Sequence, residues 1–73
     1  MITVCVYWEQ DGKPVKDAKV TVIMDGMFGG SIEGFTNRDG EVDLDVKPNQ
    51  GRIFLGNKEV YKGEISGRKA VYK

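Results

Sequence analysis

The sequence predicts an all-β fold, a small antiparallel sandwich of about seven strands. Three observations predict it. Short runs rich in Val, Ile, Thr and Tyr alternate apolar and polar residues with a period of two. Turn-forming stretches separate these runs: Asp11-Gly12, Asn37-Arg38-Asp39-Gly40, Pro48-Asn49-Gln50-Gly51 and Gly56-Asn57. No window of helical length repeats apolar residues at three and four positions without an interrupting glycine.

The first strand spans Ile2 to Glu9, with Ile2, Val4, Val6 and Trp8 on one face. Trp8 shares parity with Val4 and Val6, which places it in the core. Asp11-Gly12 turns the chain and Pro14 holds an extended approach to the second strand. That strand runs from Ala18 to Met24, with Ala18, Val20, Val22 and Met24 facing one way. Asp25 to Gly30 is a glycine-rich loop and Ser31 to Thr36 a weaker third strand. After the Asn37 to Gly40 turn, Glu41 to Lys47 alternates most cleanly. Val42, Leu44 and Val46 point to a core, while Glu41, Asp43 and Asp45 point to water. Pro48 to Gly51 is read as a turn, and Arg52 to Leu55 as the fifth strand. Gly56-Asn57 closes a hairpin to a sixth strand, Lys58 to Ser66, and Arg68 to Tyr72 is the seventh.

Such strands need a second layer. Burying one Val, Leu or Ile side chain contributes about 1.5–3 kcal/mol, and a lone sheet leaves its apolar face wet. With 73 residues the chain makes one domain, residues 1–73. A domain of that size buries only ~60% of the surface its unfolded chain exposes. Its stability margin is therefore thin, and a partner or a second copy would add to it. The composition, 40% hydrophobic and 30% charged, fits a globular domain.

Two stretches carry a family resemblance. One is Gly12-Lys13-Pro14-Val15-Lys16-Asp17-Ala18-Lys19-Val20-Thr21-Val22. The other runs from Phe35-Thr36-Asn37-Arg38-Asp39-Gly40 through Glu41 to Val46, and on to Gly51-Arg52-Ile53-Phe54-Leu55. Together they resemble the carboxypeptidase-regulatory-like and Cna-B-like domains. The resemblance implies a small Ig-like/prealbumin-like antiparallel β-sandwich, and supports fold more than function. Asp17 stands where that family usually has glycine, and aspartate tolerates the left-handed region at modest cost. Some Cna-B-like domains form a lysine–asparagine cross-link from a first-strand lysine. Ile2 to Trp8 has no lysine and no asparagine follows Asn57, so no such link is expected. The transthyretin-related hydrolases of similar topology use histidines, and this chain has none.

The inventory of reactive residues is correspondingly sparse. Without histidine there is no Ser-His-Asp or Cys-His arrangement. One cysteine, Cys5, permits neither an internal disulfide nor the usual zinc site. Asn37, Asp39, Asp43 and Asp45 do not match a calcium loop: counted back from Gly40, the first and twelfth ligand positions fall on Phe35 and Val46. Gly26 to Gly30 lacks the lysine and following helix of a phosphate loop. The sequence therefore predicts no catalytic residue, cofactor or metal, and a non-catalytic structural or protein-interaction domain.

Two surfaces stand out as partner contacts. Met27 and Phe28 sit between glycines, either as a plug folded into the core or as an apolar tip for a partner. Thr3, Cys5 and Tyr7 lie on the face opposite the core of the first strand, with Thr21 and Ile23 beside them if the first two strands pair. That face suits a homodimer or another domain, or is an ordinary strand surface. Cys5 also reads as a small buried hydrophobe between Val4 and Val6.

Two other functions stay open. A carbohydrate-binding module would use Trp8, Tyr61 and Tyr72. A nucleic-acid binder would use the basic third of the chain. Residues 1–46 carry four basic and nine acidic side chains, and residues 47–73 carry seven and two. The stronger reading of that asymmetry is interleaving of charges when the halves pair, so no nucleic-acid partner is expected. No run reaches the ~20 apolar residues of a membrane span, so no membrane insertion is expected. The compartment is open: cytoplasmic if Met1 is a native start, extracellular or cell-surface if the chain is cut from a larger protein.

Overall fold

The computed structural model describes residues 1–26 and 30–73. Among them are seven strands and no helix: β1 (Ile2–Tyr7), β2 (Lys19–Met24), β3 (Ser31–Phe35), β4 (Glu41–Leu44), β5 (Asn49–Leu55), β6 (Lys58–Ile65) and β7 (Arg68–Tyr72). They form a three-stranded sheet of order β4-β1-β7 and a four-stranded sheet of order β3-β2-β5-β6. The two sheets pack face to face, as the alternation of apolar residues requires. The seven-stranded sandwich expected from the sequence is the fold observed.

One strand pair departs from a purely antiparallel arrangement. β1 pairs antiparallel with β4 and parallel with β7, with Cys5 opposite Glu41 on one side and Ala70 on the other. The Ser66-Gly67 link, with Gly67 at φ 57°, turns the chain out of one sheet and delivers β7 to the other. Period-two alternation fixes which residues face inward, not which strand lies alongside or in which direction. Consecutive strands pair only at β2–β3 and β5–β6.

The core joins Ile2, Val4, Val6, Leu44 and Val71 of one sheet to Val20, Val22, Ile53, Leu55 and Ile65 of the other. Val42 and Val46 are partly buried against it. Val15 and Ala18 extend the core into the β1–β2 connection. At the β3–β4 side the sheets meet closely: a Cβ on Gly34 would lie 2.8 Å from Val42 Cγ2. β6 carries one extra residue opposite Ile53 and Phe54, a bulge at Val60 that lets both Val60 and Tyr61 pack against the core.

Several strand ends differ from expectation. β1 stops at Tyr7, so the core parity assigned to Trp8 does not apply; Trp8 is 42% exposed. A tight turn takes over there, with Gly12 N–H donating to Trp8 C=O and Trp8 N–H to Lys13 C=O. β4 ends at Leu44 instead of Lys47. β5 begins at Asn49, so part of the expected Pro48–Gly51 turn is strand. There the pairing of Asn49 with Ile65 and Gln50 with Glu64 overrides local turn preference.

A buried polar clasp organises the β1–β2 connection. The Thr36 hydroxyl, only 2% exposed as a residue, donates to Val15 C=O at 2.6 Å and accepts from Ala18 N–H at 2.8 Å. Asp17 N–H donates to Thr36 C=O and Thr36 N–H to Ala18 C=O, each at 3.0 Å. Asp17 holds φ 58°, a left-handed conformation that aspartate tolerates at modest cost. In the following turn the Asn37 side chain accepts from Asp39 and Glu41 N–H groups.

Candidate functional site

The outward side chains of the β4-β1-β7 sheet form a polar surface joined across its strands. Thr3, Cys5 and Tyr7 run along its centre because alternate residues of β1 point away from the core. Register then brings Asp43 beside Thr3, Glu41 beside Cys5 and, from the far strand, Arg68, Ala70 and Tyr72 beside Thr3, Cys5 and Tyr7. The Thr3 hydroxyl donates to Asp43 Oδ1 at 2.6 Å. Arg68 reaches across β1 to form a hydrogen-bonded ion pair with Glu41. The Tyr7 and Tyr72 rings meet at a tilt, with centroids 6.0 Å apart.

These contacts explain why Cys5, on an outward position, is only 3% exposed. The Arg68–Glu41 bridge spans the sheet between its two edges and Tyr7 adjoins the thiol. Cys5 therefore offers no surface to a partner in this fold, while Thr3 and Tyr7 are half-buried and Tyr72 is 53% exposed. Electrostatic interaction with Cys5 first, then loss of water and a hydrogen bond with Cys5, raise the Tyr7 pKa above the usual tyrosine value; nearby Glu41 adds to this and Arg68 opposes it. The hydrogen bond to Glu41 is the main cause that raises Arg68 above its ordinary value.

Ile23 and Thr21 do not join this face. β1 and β2 lie in different sheets, so the side-by-side arrangement with Cys5 and Tyr7 does not occur. Ile23 instead sits on the outer face of the four-stranded sheet, opposite Ser31 and Arg52. That face also bears Phe54, the 62% exposed Phe35 and the ion pairs Lys19–Glu33 and Arg52–Glu59. Arg68–Glu41 joins a base of residues 47–73 to an acid of residues 1–46, whereas Arg52–Glu59 lies wholly within 47–73. Met27 and Phe28 lie outside the described residues. A cleft is lined by Met24, Gly26, Gly30, Ile32, Val46 and Pro48.

Two edges of the three-stranded sheet behave differently. Thr3 N–H bonds Gly67 C=O and Lys73 N–H bonds Tyr7 C=O, so the odd-numbered residues of β7 face β1. Arg68, Ala70 and Tyr72 then direct their backbone N–H and C=O groups away from the sheet. On β4, Val6 N–H bonds Gly40 C=O, which turns Glu41 and Asp43 to the outside. Glu41 is already capped there, its C=O accepting from Asn37 N–H and its N–H donating to Asn37 Oδ1.

The remaining aromatic candidates are separated. Tyr61 lies against the core; its hydroxyl donates to Glu64 C=O at 2.8 Å and Lys69 Nζ sits 4.6 Å from its ring centroid. Trp8 is at the end of the sheet, with Lys73 Nζ 5.4 Å from its ring centroid. Arg68, Glu41, Asp43 and Tyr72 were not foreseen as members of one surface. Their outward parity is legible in sequence, but their convergence across β1 is a product of the crossovers. Among the described residues, no group of three or more Cys, Asp or Glu is placed to hold a metal ion. No helix there is long and apolar enough to cross a membrane. In comparisons with family models, curated proteins and solved structures, nothing matches this chain.

Proposed function

We propose that this chain is a non-catalytic structural or protein-interaction domain, an accessory module or a small self-associating subunit, that works through its β4-β1-β7 sheet. The observation that carries the reading is the state of that sheet. Its outward side chains are engaged in two pairs, Thr3 with Asp43 and Arg68 with Glu41, which brace the plate and leave none of these four as a free nucleophile with a base beside it. At one end the plate presents the Tyr7–Tyr72 pair, the amphipathic ring type enriched at protein interfaces. Turnover of an ester, glycoside or peptide substrate by purified protein, abolished by one polar substitution, would overturn this reading.

A prealbumin-like assignment accompanies it. In support, the first strand pairs with the fourth and seventh strands. In the immunoglobulin constant arrangement the first strand instead shares a sheet with the second, fourth and fifth. Asp17 at φ 58° and the Thr36 to Gly40 turn lie within the segments that carry the family resemblance.

The exposure of Trp8 and Tyr72 favours carbohydrate binding as a second reading. Sugar faces stack on accessible aromatic rings. Titration with a glycan panel, followed by Trp8 fluorescence and calorimetry, decides it: neither spectral change nor heat removes the option.

A further inference from the structure

We propose that β7 is a self-complementary edge, and that two copies of this chain join through antiparallel β7–β7 pairing centred on Ala70. The inference rests on the interaction reading above and names its partner, a second copy.

An exposed edge strand is a template for further pairing unless charge, proline or a bulge protects it. β7 has no proline and no bulge, and its free backbone groups belong to Arg68, Ala70 and Tyr72. Its cations are turned away from that edge. Arg68 reaches inward over β1 to Glu41, Lys69 lies over the Tyr61 ring, and Lys73 over the Trp8 ring. The other described edges are guarded. On β4 the outward backbone of Glu41 is capped by Asn37, and β6 carries the Val60 bulge. Glu33 and its ion pair with Lys19 stand on β3.

A second copy fits this edge by charge. Twofold antiparallel pairing about Ala70 sets Ala70 against Ala70 of the second copy, Arg68 against Tyr72 and Lys69 against Val71. No like charges stand opposite each other, and each cation meets an aromatic or apolar side chain. The outward-facing residues are those that would exchange hydrogen bonds in this register, so three pairs form without moving either fold. The net charge of zero puts no overall repulsion between copies. The product is one continuous six-stranded sheet of order 4-1-7-7-1-4, closed by its twofold axis as a dimer.

Sedimentation velocity across a concentration series tests the pairing, with two variants. Ala70→Pro removes an outward N–H without touching the bonds to β1, and should weaken association by about tenfold or more while leaving the monomer folded. In a Cys5→Ser background, Ala70→Cys should form a disulfide dimer under mild oxidation. Opposed residues of a hydrogen-bonded pair lie ~5.5 Å apart at Cα, within disulfide reach. Tyr72→Cys in the same background should not cross-link, because it faces Arg68. A dimer that survives Ala70→Pro and does not cross-link at position 70 overturns this pairing but leaves self-association through another surface. A strict monomer at all concentrations overturns the pairing and removes the self-association branch, leaving only the module reading.

Discussion

The hydroxyl of Thr36 donates to the carbonyl of Val15 at 2.6 Å, across 21 residues of chain. It also accepts from Ala18 N–H, so one buried oxygen satisfies two backbone groups in the connection between the sheets. Thr36→Val preserves shape but leaves both groups without a partner. The expected loss is about 1–3 kcal/mol, seen as a lower urea midpoint. Thr36→Ser, which keeps the oxygen, should recover most of it.

Asp17 meets a different constraint. Its φ of 58° costs an L-residue energy that glycine does not spend. Asp17→Gly should raise stability by about 0.5–1 kcal/mol, and Asp17→Val should lower it by about 1–2 kcal/mol. Thermal unfolding separates these outcomes, since each kcal/mol moves Tm by roughly 4–8 °C in a domain of this size.

Gly40 combines a left-handed backbone with close contact. At φ 76°, a Cβ would lie 2.6 Å from Val6 O and 2.9 Å from Pro14 Cβ. Gly40→Ala should therefore cost about 2 kcal/mol or more, and equilibrium unfolding measures it.

Tyr7 predicts an alkaline limit. Its pKa is raised in the fold, first by its electrostatic interaction with Cys5 and then by lost hydration. The folded chain thus holds the phenol proton after the unfolded chain has released it. This contribution to stability is complete below the unfolded tyrosine value near 10 and is lost as pH rises through the higher folded value. In a spectroscopic titration, Tyr7→Phe should delete the late phenolate component. Unfolding above pH ~10 should then be less steep with pH than in the parent chain.

Cys5 reports on the bridge over it. The thiol should react slowly with an aromatic disulfide reagent, as its 3% exposure requires. Arg68→Ala opens that cover and should speed labelling several-fold. It should leave the unfolding midpoint nearly unchanged, because the Arg68–Glu41 pair is partly solvated. Unchanged labelling would show that the thiol is covered by something other than the ion pair.

The sequence by itself determined the class of fold, the core faces of the strands and most turns. These follow from nearest-neighbour chemistry: period-two alternation at Ile2, Val4 and Val6 and at Val42 and Leu44, and the turn chemistry of Asn37 to Gly40. Tertiary structure alone decided that β1 lies between β4 and β7, that β7 runs parallel to it, and that Ile23 belongs to the other sheet. It also exposed the core-parity Trp8, whereas the burial of Cys5 agrees with its sequence reading as a small buried hydrophobe between Val4 and Val6. Alternation along a strand names a face but not a neighbour, and neighbours come from crossovers that bring residues dozens of positions apart into register. The plate made by Thr3, Asp43, Glu41 and Arg68, and the open edge of β7, are consequences of those crossovers.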